Sequence, residues 1–244
     1  MTYCVGMKLD AGLVFMSDTR TNSGVDNIST FRKMFTFEKP GERYITILTA
    51  GNLATTQSVI SRLGERTKAP EERNPSILVA PSMFQIAQTI GDLLRETIRE
   101  REQTGLNAET TFNATLIVGG QIKGMEPRLF MVYPEGNFIE ASHDTPFFQI
   151  GETKYGRPIL VRGFQADMSF ESAVKLLMVS FDSTIAANLS VALPIDMLIL
   201  PNDSFAPLQQ RRITSDDPYF RTVSSRWSDA LRNAFHSLPD YVIE

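Results

Sequence analysis

The feature that most constrains the fold is a pair of apolar runs at the start of the chain. Residues 2–9 alternate between the two faces of a strand, Asp10-Ala-Gly12 has the composition of a tight turn, and Leu13–Asp18 runs back as a second strand. The apolar residues that share one face of the first strand are Tyr3, Val5, Met7 and Leu9. Since a strand that begins at residue 2 ties the terminus into a sheet, we expect Thr2 to be held in place.

The spacing of apolar residues also predicts the elements that follow. Strands are predicted at 33–37, 43–49, 112–118, 129–133, 138–142 and 195–200, with a glycine-rich turn between 118 and 129. Helical spacing occurs over 53–63, 82–103, 169–188 and 216–236, and a proline-containing connector is predicted at 69–81. In the last helix, the stripe that we expect to pack on the core consists of Val223, Trp227, Leu231 and Ala234.

This order of elements indicates an α+β fold. Antiparallel sheets that each need a covered face, combined with helices in separate runs, fit two sheets packed face to face with helices outside them. The sequence therefore predicts a four-layer αββα sandwich. No Pro/Ser-rich linker is long enough to divide the chain, so residues 1–244 are predicted to form a single domain.

The composition excludes several classes of function. The chain has a net charge of −4 and no Lys/Arg cluster interleaved with aromatic residues, so we expect no nucleic-acid partner. No run approaches the ~18 apolar residues of a membrane span, so no membrane partner is expected. The N-terminus lacks the pattern of a signal peptide, and Cys4 is the single cysteine, so no intramolecular disulfide can form. Both observations favour a cytoplasmic protein.

Common nucleotide and metal motifs are also absent from the sequence. There is no G-x-G-x-x-G, Walker loop, H-E-x-x-H or Cys pair, so we expect no cofactor and no metal. The two histidines, His143 and His236, have no sequence context that favours a Ser-His-Asp triad. A mechanism that needs no histidine is therefore the simpler hypothesis.

Thr2 offers such a mechanism. Because residue 2 is small, Met1 can be removed, which leaves a threonine with both a hydroxyl and a free α-amine. An α-amine titrates near pH ~8, so much of it can accept a proton at neutral pH. Threonine paired with its own amine is a known form of activated nucleophile. The sequence therefore suggests that Thr2 is both nucleophile and base.

Lys33 and Asp18 are candidates for activating that nucleophile. An ammonium near the hydroxyl lowers the pKa of the alcohol and of the adjacent amine, and Asp18 would keep the lysine charged and oriented. The alternative interpretation is a strand-surface salt bridge, which would stabilise the fold by at most ~1 kcal/mol.

These residues occur in segments that resemble the proteasome-type β-subunit family. The segments at the start are Thr2-Tyr-Cys-Val-Gly6, Val14-Phe-Met-Ser-Asp18-Thr-Arg20, Phe31-Arg-Lys33 and Thr49-Ala-Gly51. Later landmarks at Gly119-Gly120, Pro127-Arg128-Leu129 and Ile150-Gly151 extend the resemblance over nearly the whole chain. The segments 17–22 and 24–29 are most similar to the bacterial Anbu branch of this family.

The resemblance implies an αββα fold, N-terminal nucleophile (Ntn) hydrolase activity on peptide or amide substrates, and self-assembly into a ring or an open helix. It implies that Thr2 is nucleophile and base, that Asp18 and Lys33 activate it, and that the backbone N–H of Gly51 stabilises the oxyanion. It gives no indication of an ATP-driven partner.

The chain departs from the family pattern at two positions. Glu152 follows Gly151 where the family has a serine beside the threonine amine, and Asp182 is followed by Ser-Thr-Ile185 where the family has Asp-x-x-Ser. We include Glu152 and Asp182 in a predicted proton network. A carboxylate near the amine would raise its pKa and favour the protonated form, so weak or absent activity on ordinary peptides is expected.

Substrate preference is predicted only in outline. The residues that the resemblance assigns to the first specificity pocket are Thr21, Phe31, Thr49 and Leu53, which together form a neutral, moderately apolar surface. Two other functions remain open. One is an assembling scaffold without catalysis, and the other is an amidohydrolase or transferase on a particular small amide.

Overall fold

Two five-stranded antiparallel sheets form the centre of the molecule, whose computed structural model describes residues 2–22, 28–68, 76–104 and 111–243. Met1 and most of the predicted connector at 69–81 lie outside these ranges. The strands, in chain order, are β1 (Tyr3–Leu9), β2 (Gly12–Asp18), β3 (Arg20–Asn22), β4 (Ile28–Thr30), β5 (Met34–Lys39), β6 (Arg43–Gly51), β7 (Ala114–Ile122), β8 (Arg128–Val132), β9 (Phe138–Glu140), β10 (Phe147–Gly151), β11 (Ile195–Pro201) and β12 (Gln209–Ile213). The helices are α1 (Leu53–Lys68), α2 (Met83–Thr104), α3 (Arg157–Gly163), α4 (Phe170–Ala187) and α5 (Pro218–His236).

The strand order places the chain's first hairpin near the centre of one sheet. That sheet has the order β10-β1-β2-β11-β12, the other has the order β5-β6-β7-β8-β9, and β3 and β4 form a separate two-stranded ribbon. In the first hairpin, Cys4 pairs with Ser17 and Leu9 pairs with Gly12. The predicted hairpin is confirmed.

Three buried apolar clusters define four layers. One cluster joins β6, β7 and β8 to α1 and α2, the second joins β1, β2 and β11 to α4 and the start of α5, and the third lies between the two sheets. Along β1, Tyr3 and Val5 face the α4 side, whereas Cys4 faces the other sheet. Since both faces of these strands are covered, β2 is buried along its whole length. The predicted αββα sandwich is confirmed.

Glycines allow the two sheets to approach closely. A Cβ atom on Gly119 would lie 2.7 Å from the Phe15 ring, and one on Gly6 would lie 2.8 Å from Ile117. The predicted glycine-rich turn is therefore wrong at Gly119 and Gly120, which continue β7 to Ile122. The chain turns later, near Gly124, where φ is +77°.

Several elements were not predicted. These are β3, β4, β10, α3 and β12, and Ile150-Gly151 belongs to β10. α1 continues past Gly64 to Lys68. α4 begins as its sequence suggests, because Ser169 accepts a hydrogen bond at 3.2 Å from the N–H of Ser172.

The last helix packs along only its first half. Phe220 is buried, and Val223 and Trp227 are half-buried, but Leu231 is 51% exposed and Ala234 is exposed. The predicted packing stripe is therefore wrong for its second half. Within the described ranges, no helix has the length and apolar character needed to cross a membrane.

Candidate active site

Thr2 is fixed through its own carbonyl and through the next residue. Its carbonyl oxygen accepts a hydrogen bond at 2.6 Å from the N–H of Glu152, and the N–H of Tyr3 donates to Asp18 Oδ1 at 2.9 Å. Gly151 lies against this carbonyl, with φ at +85°, and a Cβ atom there would be 1.9 Å from Thr2 O. Only glycine fits such an approach. The start of β1 is therefore anchored between β2 and β10, as its place in the sequence predicts.

Asp18 and Lys33 form a buried ion pair beside Thr2. Lys33 Nζ donates to Asp18 Oδ1 at 2.8 Å and to the carbonyl of Arg20 at 2.5 Å. The Lys33 side chain is 5% exposed and that of Asp18 is 0% exposed. The alternative interpretation as a strand-surface salt bridge is therefore wrong.

The electrostatics of Asp18 reflect opposing effects. Burial raises the pKa of its carboxyl, while the Lys33 ammonium and the backbone N–H groups of Tyr3 and Arg20 oppose that rise. One carboxylate thus holds both the lysine and the strand that carries Thr2. Any motion of Asp18 would displace the cation and the candidate nucleophile together.

β6 brings the remaining residues to the same place. The N–H of Thr49 donates to the carbonyl of Lys33 at 2.9 Å, which aligns the segment before β5 with the end of β6. β6 ends at Gly51, where φ is +109°, and α1 begins two residues later at Leu53. The strand-to-helix turn therefore lies directly beside the Asp18–Lys33 pair.

A cavity of about 260 Å³ opens between these elements. It is lined by Thr2, Thr21, Lys33, Thr49, Ala50, Gly51, Leu53, Thr56 and Gly151. Among these described residues, Lys33 has the only ionisable side chain. The cavity thus brings together Thr2, Lys33, Gly51 and three of the four predicted specificity residues. Asp18 lies behind Lys33, and Phe31, which is half-buried, does not line the cavity.

The sequence analysis missed Thr56 as a cavity residue. Thr56 is buried, and its hydroxyl donates to the carbonyl of Leu53 at 2.9 Å. The signal was available, because Thr56 follows Leu53 by three positions on one face of a predicted helix. Ala50 and Gly151 lie in segments that carry the family resemblance, but no role was assigned to them, because their place in the cavity depends on how the sheets pack.

The predicted proton network is only partly assembled around the cavity. Glu152 is buried, and its carboxylate accepts from the N–H of Lys154 at 3.2 Å and from Asn188 Nδ2 at 2.9 Å. Asp182 is half-buried on α4 and, like Glu152, does not line the cavity. Roles for Glu152 and Asp182 in proton transfer stay predictions. The described residues include no cluster of three His, Cys, Asp or Glu side chains placed to hold a metal ion.

The fold is that of one class of protein. The sequence profile described as "Proteasome subunit" matches residues 2–197, which includes every strand and helix that lines the cavity. The chain belongs to the proteasome subunit family. A comparison with curated proteins found no match.

Within this family, the chain is similar over its whole length to solved structures of Anbu. Anbu (ancestral beta-subunit) from Yersinia bercovieri is 48% identical with a TM-score of 0.92, over 99% of this chain and 100% of that one. Anbu from Hyphomicrobium sp. strain MC1 is 48% identical with a TM-score of 0.89, over 99% of this chain and 100% of that one. The helical assembly of the Anbu complex from Pseudomonas aeruginosa has 45% identity and a TM-score of 0.92, over 99% of this chain and 98% of that one.

Proposed function

We propose that this protein is a self-assembling N-terminal-threonine hydrolase of amide bonds, most simply a peptidase. The observation that carries the proposal is the buried Asp18–Lys33 ion pair, whose lysine lines a cavity of about 260 Å³ together with Thr2. Burying a charged pair lowers stability unless its geometry is good, so such a pair is weak evidence of a stabilising role. Its place beside a small candidate nucleophile instead favours a role in chemistry. The family match supports the same class of reaction.

The reaction requires a free Thr2 amine, so Met1 is removed first. Thr2 Oγ1 then attacks the substrate carbonyl while its proton passes to the α-amine, and the new C–O bond produces a tetrahedral oxyanion. Collapse of this intermediate breaks the C–N bond, and the leaving nitrogen takes the proton from the α-ammonium. Water then attacks the ester with the amine again as base, which releases the acid and restores Thr2.

The remaining cavity residues would support these steps. The Lys33 ammonium favours the ionised alcohol and the neutral amine, and the Gly51 N–H would stabilise the oxyanion. A volume of about 260 Å³ suits one side chain, and the lining beyond Lys33 is neutral, with Thr21, Thr49 and Leu53. We therefore expect cleavage after small or moderately apolar neutral residues.

The catalytic proposal is tested by mass and by covalent labelling. Intact mass should show loss of Met1, and an electrophile that captures a hydroxyl together with a neighbouring amine should add once. Thr2→Ala should abolish labelling and Lys33→Ala should nearly do so, while Lys39→Ala, which removes an exposed lysine paired with Glu42, should label normally. Retained Met1 with no labelling would support the scaffold alternative. Labelling with turnover of only one small amide in a substrate panel would support the amidohydrolase or transferase.

Self-assembly is supported by the exposed end of the chain. From Leu231 onward, the exposed apolar side chains are Leu231, Phe235, Leu238, Tyr241, Val242 and Ile243. Several large apolar side chains exposed within one short segment are typical of a contact with another protein. Since the Pseudomonas aeruginosa relative is described as a helical assembly, we propose that the partner is a second copy of this chain.

The assembly proposal has a direct test. Phe235→Ser should reduce the mass of the particle measured by light scattering, because Phe235 is 72% exposed in the protomer and would be buried between copies. Leu208→Ser is the matched control, since Leu208 is 65% exposed but lies between β11 and β12. Equal masses for the wild type and the Phe235→Ser variant would contradict this interface. We place the assembly in the cytoplasm, where the free thiol of the buried Cys4 persists, and treat each copy as a single domain.

A further inference from the structure

A side chain outside the cavity connects α4 to the candidate nucleophile. Asn188 follows the end of α4, where its N–H donates to the carbonyl of Thr184 at 2.9 Å. Its side-chain amide is fixed at both ends, because Oδ1 accepts from the N–H of Ser190 at 2.9 Å and Nδ2 donates to Glu152 at 2.9 Å. Asn188 is therefore held in one orientation relative to α4.

Glu152 passes this constraint to Thr2. Its carboxylate is buried and has two donors, Asn188 Nδ2 and the N–H of Lys154, so its side chain has little freedom to rotate. Its own N–H donates to Thr2 O at 2.6 Å. Because Gly151 contacts the same carbonyl, a shift of residues 151–152 would move Thr2 with them.

α4 also holds the next residue of β1. Ser180 and the hydroxyl of Tyr3 are hydrogen-bonded at 2.7 Å, and Ser180 donates to the carbonyl of Gly156 at 3.1 Å. Tyr3 is fully buried against Phe181 of the same helix. α4 thus contacts Tyr3 directly and constrains Thr2 indirectly, through Asn188 at its end and then Glu152.

We propose that Asn188 is a positioning residue for the nucleophile, acting on Thr2 through the Glu152 carboxylate and backbone. The inference rests on the proposed function for its kinetic consequence. A displacement of about 1 Å at a reacting atom can cost about 100-fold in rate. Loss of the Asn188 contact should therefore lower the rate at which Thr2 is labelled by about 10- to 100-fold.

A reciprocal swap tests this contact. In Glu152→Gln, one acceptor oxygen remains for two donors, so either Asn188 Nδ2 or the N–H of Lys154 loses its acceptor. In the double variant E152Q/N188D, the amide introduced at position 152 donates to the carboxylate introduced at position 188, which still accepts from the N–H of Ser190. On the high-pH plateau, where the Thr2 amine is neutral in every variant, Asn188→Ala and Glu152→Gln should each slow labelling by about 10- to 100-fold, and the double variant should return to within about threefold of the wild type.

The pH profile separates positioning from charge. Asn188→Ala leaves the charge at residue 152 unchanged, so we expect a lower plateau rate with the same apparent pKa of labelling. Asn202→Ala is the matched control, because Asn202 Nδ2 also donates a hydrogen bond, at 2.8 Å to the carbonyl of Asp10, at the far end of β1. It should label at the wild-type rate. A wild-type rate for Asn188→Ala, or a double variant no faster than the slower single variant, would overturn the inference.

A readout without catalysis distinguishes this inference from the proposed function. Hydrogen exchange of the Glu152 N–H, which is bonded to Thr2 O, should become at least tenfold faster in Asn188→Ala and stay unchanged in Asn202→Ala. If the wild type is not labelled but this change is seen, the hydrolase proposal fails and the positioning contact stands. Unchanged exchange in Asn188→Ala would refute the contact whatever the activity.

Discussion

The two ends of this chain differ in how far a single copy buries and pairs their side chains. At the N-terminal end, Tyr3 and Asp18 are fully buried and paired, and Lys33 is held by two acceptors. At the C-terminal end, Phe235 and Tyr241 are 72% and 88% exposed. The difference teaches that the candidate site is assembled within one protomer, whereas the end of α5 stays exposed there, at the surface that we propose a second copy covers. Substitutions at the two ends should therefore affect different measurements.

The largest effect is expected from Lys33→Ala. This change leaves the Asp18 carboxylate buried without its cation, so the free energy of unfolding should fall by about 3–5 kcal/mol in urea titrations. Lys39→Ala removes an exposed lysine from an ion pair with Glu42 and should cost much less. Similar losses in the two variants would mean that the Asp18–Lys33 pair behaves as a surface pair.

Gly151→Ala should have the next largest effect. The alanine would have to adopt a positive φ, and its Cβ would overlap Thr2 O. We therefore expect the free energy of unfolding to fall by about 2–5 kcal/mol and Thr2 labelling to drop strongly. Gly41→Ala is the control, since φ there is +71° but the new Cβ would meet no atom within 4 Å. It should cost only about 1–2 kcal/mol, with normal labelling. Equal effects of the two changes would show that contact with Thr2 is unimportant.

Tyr3→Phe should have an intermediate effect that depends on pH. It removes the hydroxyl bonded to Ser180 and Gln149, so unfolding free energy at pH 7 should fall by about 1–3 kcal/mol. Burial raises the pKa of Tyr3 from 10.0 to about 12, while these two hydrogen bonds oppose the rise. Because the pKa of Tyr3 is raised, the folded state favours the neutral phenol. The contribution of Tyr3 to the free energy of unfolding is therefore complete below pH 10 and is lost as pH rises through 12.

The measurement for Tyr3 is stability as a function of pH. The wild type should lose about 2–3 kcal/mol between pH 10 and 12 from this group, and Tyr3→Phe should lack that part of the slope. Tyr241→Phe, at an 88% exposed site, should leave both the stability and its slope unchanged. If Tyr3→Phe keeps the wild-type dependence of unfolding free energy on pH, the titration belongs to another group.

The smallest effect on the protomer is expected at the other end of the chain. Phe235→Ser should change the unfolding free energy of dissociated protomer by less than about 0.5 kcal/mol, because its side chain contacts mostly solvent there. The same variant should lose assembly. A loss above about 2 kcal/mol in dilute protomer would mean that Phe235 packs within its own chain, which would remove the contrast between the two ends.

Much of the fold was predictable because its strands and helices repeat apolar residues at regular spacing. β1 and β2 are buried on both faces, and their apolar composition is visible in the sequence. β12 was missed because its sequence, Gln209–Ile213, is polar and four of its five residues are exposed. Ion pairs from Arg211 to Asp217 and from Arg212 to Asp196 hold this edge strand, and such contacts exist only in the folded state.

The candidate site was predictable to a different degree. Thr2 was identified by its chemistry behind a removable Met1, and the family resemblance supported Asp18 and Lys33 against the alternative of a surface salt bridge, since their positions carry no periodic signal. The resemblance placed Gly151 and Glu152 near the threonine amine, but Asn188 could not be identified, because it follows a helix and only the packing of α4 and β10 on β1 brings it to Glu152. Sequence patterns report which face of an element is buried, but they do not report which elements meet.

The pairing of β1 also limits when the proposed removal of Met1 can occur. Tyr3 and Cys4 are fully buried, and their strand is bound on one edge by β2 and on the other by β10. In the proposed mechanism Met1 must be removed before Thr2 can react, and an aminopeptidase needs the first few residues as a free peptide, so we expect removal on the nascent chain. Protein synthesis faster than that removal would leave two lasting populations, one with a free Thr2 and one that keeps Met1.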